Sequence, residues 1–374
     1  MGAGTRVASA IRGGSRKFAA AGLVAYALAL SGCNSIDMDG SMRVVAATPK
    51  ASMVQVFIAS TREGEKGAAS QKASSDGMHY ALATMTLPPS HQAGAIESPF
   101  WGSANSKDHI VVAGERELDA EEFRAEFASH VSGRIGVNRD VLVYVHGFNT
   151  SFEESRLRAA QIVADSHFGG VPVLFTWPTK AQVLGYVSDK DSAMASRDAL
   201  QDELTEISAT PGVGKIHILA HSMGGWLAME ALRQAALSGH RDLDGHLGEV
   251  MLASPDIDVE VFDSQMARIR PANVTVFATA NDRALSLSSA LAQSRVRVGA
   301  INPANSEDRA KIEAAGAKVY DLSSASAGFI DHDAYAVAPD VLHSIGVQMA
   351  TPRAGETNTV SIIDASGYAE KAPN

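Results

Sequence analysis

The chain contains one cysteine in 374 residues. A single cysteine excludes an intrachain disulfide framework and any zinc site built from several cysteines. The sequence also lacks the H-E-x-x-H pattern and any close pair of histidines with carboxylates, and its glycine clusters follow neither the dinucleotide-binding nor the P-loop spacing. We therefore expect neither a metal ion nor another cofactor.

Basic patches are missing as well. Lys and Arg number 32 against 42 Asp and Glu, a formal net charge of −10, and no basic cluster with interleaved aromatic residues is present, which argues against nucleic-acid binding. A mean hydropathy of −0.02 excludes a protein with many membrane spans. What remains is a globular composition, 45% hydrophobic and 20% charged, long enough for one large α/β domain or two ordinary ones.

The N-terminus has the composition of a secretory signal peptide. Four basic residues and no acidic one precede an apolar run at 18–30, which is too short to span a bilayer comfortably. The segment Leu-Ser-Gly-Cys that ends at Cys33 resembles the bacterial lipobox, in which the cysteine becomes the lipid-bearing N-terminus. We expect residues 1–32 to be a lipoprotein signal peptide, with an uncleaved membrane anchor as the alternative.

This resemblance implies a place in the cell. Lipidation of Cys33 would attach the protein to a membrane of a Gram-negative-type cell envelope, facing the periplasm, with the choice between inner and outer membrane left open. The polar segment 33–52 is then a tether. Residues 53–348 are expected to form one α/β domain, and the polar segment 349–374 a flexible tail.

From residue 140 onward, apolar segments of strand length alternate with helical patterns. Strands are predicted at 141–145, 171–176, 216–220, 250–253, 274–278 and 318–322. Helices are predicted at 152–167, 192–207, 223–237 and 337–348. This alternation predicts a parallel sheet joined by right-handed crossovers. Earlier strands at 53–60 and 80–87 should extend an antiparallel edge, and Asp119 with Glu122 resembles a capping box.

The segment 216–226, IHILAHSMGGW, predicts a nucleophile elbow. A buried strand stops at Ser222, and a helix begins directly after it, so that the serine hydroxyl projects above the sheet edge beside a helix N-terminus. Such a tight turn needs small residues two positions before and after the serine, and these are Ala220 and Gly224. Ala220 departs from the usual first glycine. The alternative is a chance serine in a strand-to-helix turn.

A serine nucleophile needs a base and a group that orients the base. Because ligands bind outside the carboxyl ends of parallel strands, the candidates should follow strands that come after Ser222. Asp282, after the strand at 274–278, is the predicted acid; Asp256 is its competitor and Asp258 a weaker third option. His332, after the last strand, is the predicted base and completes the order Ser, Asp, His. Asp282 could instead cap a helix, and His332 could be a polar loop residue.

The loop after the strand at 141–145 predicts an oxyanion hole. A glycine directly after a strand lets the backbone turn its N–H groups toward a substrate. We expect the amides of Phe148 and Met223 to be the donors. The further pocket candidates are His146, Gly147, Asn149, Trp177, Tyr186 and His221. We interpret His146 as a structural residue that holds the loop, and Trp177 equally well as core packing.

These segments resemble the α/β-hydrolase superfamily, and more narrowly a bacterial branch of largely uncharacterised esterase/lipase-like proteins. The likeness is carried by residues 54–63 (VQVFIASTRE), 141–155 (VLVYVHGFNTSFEES), 173–179 (VLFTWPT), 185–197, 218–225 (ILAHSMGG) and 281–288 (NDRALSLS). It implies an α/β-hydrolase fold, a mostly parallel central sheet with helices on both faces. The triad would be Ser222, Asp282 and His332, with Phe148 and Met223 as oxyanion donors.

By the same resemblance, the expected reaction is cleavage of a small-molecule or lipid carboxylic ester through an acyl-enzyme. Two alternatives remain open. The same triad serves amidases and proteases, and the fold also suits a non-catalytic binding module of the cell envelope.

Overall fold

The computed structural model describes residues 44–63, 77–99, 101–180, 185–269, 272–280, 285, 296–323 and 333–350. The predicted domain limits, tether and tail stay predictions. Within the described residues the strands form one nine-stranded sheet of order β3-β2-β1-β5-β4-β6-β7-β8-β9. The strands are β1 (Ser52–Ser60), β2 (His79–Leu87), β3 (Val111–Leu118), β4 (Val141–Val145), β5 (Val171–Thr176), β6 (Ile216–His221), β7 (Leu247–Ala253), β8 (Asn273–Ala278) and β9 (Lys318–Asp321).

Helices cover both faces of this sheet. They are α1 (Ala120–Ser132), α2 (Phe152–Asp165), α3 (Tyr186–Ala195), α4 (Arg197–Ser208), α5 (Met223–Leu237), α6 (Val259–Ile269), α7 (Ser306–Ala314), α8 (Ala334–Val337) and α9 (Pro339–Ala350). Every strand pair from β1 through β9 in the sheet order is parallel, and β2 and β3 add an antiparallel edge. The predicted fold class, a mostly parallel sheet with helices on both faces, is confirmed.

The central strands are mostly apolar because both of their faces are buried. In β4, Val141, Val143 and Val145 enter one hydrophobic core, which the apolar residues of α1, α4, α5 and α6 complete. The alternate residues Leu142 and Tyr144 enter a second core, which α2, α8 and α9 complete. The side-chain period of two in a strand thus divides one sequence segment between two cores.

Two helix predictions differ from the structure. The helix predicted at 192–207 is two helices, α3 and α4, that meet at Ser196, whose hydroxyl bonds back to the Ser192 carbonyl at 2.9 Å. The final helix is also interrupted, at Ala338 (φ −93°, ψ 113°), because proline at 339 disfavours the helical conformation for the residue before it. The capping box is present: Asp119 Oδ1 accepts from the Glu122 amide, and Glu122 Oε2 accepts from the Asp119 amide.

The register brings four loops together at one edge. Val145 pairs with Ala220, His221 with Ala253, and Ala253 with Phe277, so β4, β6, β7 and β8 end side by side. In an open parallel sheet, ligands bind at this carboxyl edge. Among the described residues, no helix combines the length and the apolar composition needed to cross a membrane.

Candidate active site

Ser222 occupies a strained turn between β6 and α5. Its φ of 52° and ψ of −119° are unfavourable for a side-chain-bearing residue, and such strain clusters at functional sites. Three backbone hydrogen bonds hold the turn: the Ser222 amide donates to Ala253 O at 2.9 Å, and the Ser222 carbonyl accepts from the amides of Gly225 (3.0 Å) and Asp256 (3.1 Å). The elbow is therefore fixed by the neighbouring strand as well as by its own helix.

The turn leaves no room for larger side chains around it. A Cβ atom on Gly224 would overlap the carbonyl oxygen of His146 and lie 2.8 Å from that of Val145. A Cβ atom on Gly147 would lie 2.7 Å from His221 Nδ1 and 3.2 Å from Ser222 Cβ. The loop after β4 therefore lies directly against the elbow because both segments have glycine at the contact.

Two backbone amides next to the elbow are available to a ligand. Met223 is the first residue of α5, so its N–H has no acceptor within the helix. Phe148 follows Gly147 in the loop after β4, and the loop turns at Asn149, whose φ of 59° is in the left-handed region that asparagine tolerates. Within the described part of the chain, neither the Phe148 nor the Met223 amide donates to a protein acceptor.

His146 is completely buried beneath this loop. Its Nε2 atom receives the backbone N–H of Trp177 at 3.2 Å, so its Nδ1 atom carries the proton and donates to the Gly147 carbonyl at 2.9 Å. Burial, and then the charge of Arg62, hold the pKa of His146 well below its usual value. Trp177 stacks on the imidazole (5.2 Å, 7°) and its indole N–H donates to His146 O at 3.0 Å. A neutral, fully bonded imidazole of this kind supports the loop.

Asp256, the competing acid candidate, has other partners. Its Oδ1 atom lies 3.2 Å from Nε of Arg297 in a buried ion pair, and its Oδ2 atom accepts from the Tyr186 hydroxyl at 2.7 Å. Tyr186 in turn contacts the Phe148 ring edge-to-face at 5.5 Å. Tyr186 of α3 thus links Asp256 to the loop beside the elbow. Asp258 accepts from the Glu260 amide at 3.0 Å and so caps α6.

His221 connects the elbow to the segment before α8. Its ring packs at 4.7 Å from that of Tyr335, and its Nε2 atom lies 3.7 Å from Oδ1 of Asp333. The Tyr335 hydroxyl is 3.0 Å from that of Tyr144, and burial raises the pKa of both phenols, so both stay protonated at neutral pH. The segment that begins at Asp333 therefore contacts His221, the residue before Ser222.

The carboxyl group of Glu154, which interacts with Asp333, has a raised pKa. Burial, and then the negative charge of Asp333, raise the pKa of Glu154 to about 7. Glu154 lies in the first turn of α2, where its amide donates to the hydroxyl of Ser151 at 3.1 Å. The charge that Glu154 presents to Asp333 therefore depends on pH.

Three predicted residues, Asp282, His332 and Cys33, lie outside the described residues. The structure brings together the other candidates, Ser222, Met223, His221, His146, Gly147, Phe148, Asn149, Trp177, Tyr186 and Asp256. The described residues contain no group of three or more His, Cys, Asp or Glu side chains placed to hold a metal ion. Arg62, Arg297, Asp333 and Tyr335 were not predicted as site residues. For Arg62, a charged residue two positions after a buried strand was a usable signal.

The matching family model is described as "Alpha/beta hydrolase of unknown function (DUF900)" and matches residues 119–353, more than half of the chain. The chain belongs to this family. The match begins at the residue that caps α1, so β1, β2 and β3 lie before it. An uncharacterized protein of Nostoc sp. (strain PCC 7120) is 26% identical over 122 residues, covering 26% of this chain and 32% of that protein. The chain thus matches about a third of that relative's length.

Three solved structures are among those similar to this chain. A predicted CIB-like hydrolase from Thermoplasma acidophilum has a TM-score of 0.37 at 13% identity and covers 79% of this chain and 97% of its own. Est1E from Butyrivibrio proteoclasticus has a TM-score of 0.37 at 11% identity, with 73% and 96% covered. An esterase from Pyrobaculum calidifontis has a TM-score of 0.33 at 12% identity, with 89% and 92% covered. Similarity at this level does not indicate a substrate.

Proposed function

We propose that this α/β hydrolase cleaves carboxylic esters through an acyl-enzyme formed on Ser222. The observation that carries the proposal is the strained elbow at the carboxyl edge of the sheet, with Ser222 at the N-terminus of α5 and the glycine loop packed against it. A helix N-terminus and two unengaged amides favour the negative charge that develops on a substrate oxygen during acyl transfer.

In the proposed reaction, Ser222 Oγ bonds to the ester carbonyl carbon while its proton passes to His332. The carbonyl oxygen becomes an oxyanion that accepts hydrogen bonds from the Phe148 and Met223 amides. Collapse of this intermediate breaks the bond to the alcohol, which leaves with the proton from His332. Water then attacks the acyl-enzyme by the same route, releases the carboxylic acid and restores Ser222.

The placement of described neighbours supports His332 as base and Asp282 as acid. Asp333, the residue after His332, lies 3.7 Å from the residue before Ser222. The strand before Asp282 ends at Ala278 and is bonded to β7, which in turn is bonded to the strand of Ser222. Asp256 is engaged by Arg297 and Tyr186, which favours Asp282 for the orienting role.

A fluorophosphonate probe tests this proposal on the folded protein. We expect covalent labelling of the wild type and loss of labelling in Ser222→Ala. Labelling should be retained in the control Ser254→Ala, since Ser254 is a buried serine that directly follows β7. Turnover of short p-nitrophenyl esters should fall by roughly 1,000-fold or more in Ser222→Ala, His332→Ala and Asp282→Ala. Labelling that survives in Ser222→Ala would refute the assignment of the nucleophile.

The choice between ester and amide substrates is tested separately. A serine nucleophile with a base and an oxyanion hole serves both reactions, so a matched panel of p-nitrophenyl ester, thioester and anilide substrates with the same acyl group is informative. We expect kcat/KM to be highest for the ester. An anilide rate equal to or above the ester rate would assign the protein to the amidases.

We also propose that the protein is attached to a membrane of the cell envelope through Cys33. The Val45 amide donates to Val112 O at 2.8 Å near the start of β3. This contact lies at the amino ends of the parallel strands, opposite to the carboxyl ends where Ser222 lies. An anchor on that side would leave the proposed active site facing away from the membrane. Incorporation of an alkyne fatty acid should occur in the wild type and be lost in Cys33→Ser; retained incorporation would contradict the site.

A further inference from the structure

We propose that Arg62 is a positioning residue that holds the oxyanion loop, residues 146–150, against the elbow. The inference rests on the proposed function and extends it to a part of the chain, β1 to β3, that lies before the family match. It means that the N-terminal strands complete the active site as well as the sheet.

The sheet register delivers Arg62 to the site. Ser60, the last residue of β1, pairs with Thr176 at the end of β5, and the Thr61 amide donates to Thr176 O at 3.0 Å. Arg62 therefore leaves the sheet at the same carboxyl edge as the oxyanion loop. It does not turn outward, and the residue is only 4% exposed.

One guanidinium contacts both ends of the loop. Its Nη2 atom donates to the Thr150 carbonyl at 3.2 Å and lies 3.3 Å from Nε2 of His146, while its Nε atom donates to Thr176 Oγ1 at 2.8 Å. The Thr150 carbonyl also accepts from the Thr179 hydroxyl at 2.6 Å. The segment between these two attachments carries the Phe148 amide, so its direction depends on the Arg62 contacts.

The contacts require the shape of an arginine. A planar guanidinium donates from several nitrogen atoms in fixed directions, whereas a lysine ammonium is a single point that cannot reach Thr176, His146 and Thr150 together. Burial lowers the pKa of Arg62 to about 10, opposed by the charges of Glu153 and Asp189, so the group stays charged at neutral pH. Glu153 faces it from the start of α2 and Asp189 from α3.

Burial first, and then the neighbouring Arg62, hold the pKa of His146 well below its usual value. A cation next to Nε2 disfavours a second positive charge on the imidazole, and Nε2 must remain an acceptor for the Trp177 amide. The proton therefore stays on Nδ1, where it bonds the Gly147 carbonyl. Arg62 therefore contacts the first residue of the loop, His146, and the last, Thr150.

The test compares Arg62→Lys with wild type and with the control Arg116→Lys, an exposed arginine of β3 that pairs with Glu126 at 2.6 Å. We measure kcat and KM for p-nitrophenyl acetate, the rate of fluorophosphonate labelling, and inhibition by phenylboronic acid, which forms a tetrahedral adduct with the serine. In Arg62→Lys, kcat and the labelling rate should fall about 100-fold and the inhibition constant should rise about 100-fold, as for a lost oxyanion donor. KM should change less than about twofold.

Several outcomes separate the hypotheses. Wild-type rates and boronate inhibition in Arg62→Lys would overturn the role of Arg62 and leave the proposed function intact, whereas absence of labelling in the wild type would refute the proposed function itself. Should Arg62→Lys fail to fold, Thr176→Val removes the hydroxyl that bonds both Arg62 and His146 with little change of volume. We expect roughly tenfold slower labelling in Thr176→Val, the effect of about one hydrogen bond; an unchanged rate would overturn the inference.

Discussion

Replacement of Gly224 by alanine is the sharpest test of the elbow. In a helix, glycine is less favourable than alanine by up to about 1 kcal/mol, so Gly224→Ala would be stabilising if space allowed. The structure places the backbone carbonyls of Val145 and His146 where the new methyl group would be. Backbone cannot rotate away as a side chain can, so the loop after β4 would have to move by about 1 Å in a close-packed interior.

The magnitude follows from the groups that must move. Overpacking of this kind costs about 3 kcal/mol. Displacement of His146 O, which accepts from the indole N–H of Trp177 at 3.0 Å, would leave that N–H without an acceptor and cost roughly 2 kcal/mol more. After the helix gain, the net loss is about 4 kcal/mol. At about 2 °C per kcal/mol for a domain of this size, the unfolding midpoint should fall by about 8 °C.

Gly225→Ala provides the matched control. It lies one residue further along α5, and its Cβ atom would lie 3.3 Å from Cβ of Pro255, a contact that a small adjustment relieves. We expect its free energy of unfolding to stay within about 1 kcal/mol of wild type. Thermal unfolding and ester turnover are measured on both variants. A Gly224→Ala protein with wild-type stability and activity would refute the close approach of the loop to the elbow.

Two further predictions concern polar side chains on α4 and α3. Glu203 on α4 is 2% exposed, and burial, then the charge of Glu206, raise its pKa to about 8. Because the carboxyl pKa is higher in the folded protein than in the unfolded chain, its contribution to stability is complete below about pH 4.5 and falls by about 4 kcal/mol as the pH rises toward 8. Glu203→Gln should flatten this loss, whereas the exposed control Glu121→Gln should not. Parallel pH profiles of Tm in all three proteins would contradict this. Tyr186→Phe removes the hydroxyl bonded to Asp256 and should lower the free energy of unfolding, measured with denaturant, by about 1–2 kcal/mol. A double-mutant cycle with Asp256→Asn should show coupling between the two residues. Strictly additive effects would contradict this contact.

Local sequence signals predicted the elements that carry the site. The apolar segment that became β4 has the predicted bounds, and α5 begins and ends at the predicted residues, Met223 and Leu237. Both follow from short-range patterns: a fully apolar run of strand length between turns, and helical spacing directly after a small-residue turn. The interruption at Ser196 was not predicted, because the apolar spacing continues through it and its hydroxyl bonds Thr61, far away in the chain.

Such short patterns could not predict which side chains contact one another. The sequence alone presented Asp256 as a competitor for the triad, and only the fold brings it to Arg297 and Tyr186. Its bonds depend on how α3 and the segment after β7 pack, which no local propensity specifies. The same holds for His221, whose neighbour Asp333 is more than a hundred positions away in the chain.

The sequence by itself determined the strand–serine–helix turn and the alternation that produces a parallel sheet, because both are encoded in neighbouring residues. The tertiary structure decided that the loop after β4 contacts Arg62, which lies two residues after the end of β1. That contact exists because β1 joins the sheet parallel to β5, and the register of distant strands is set by burial of whole faces rather than by any short motif.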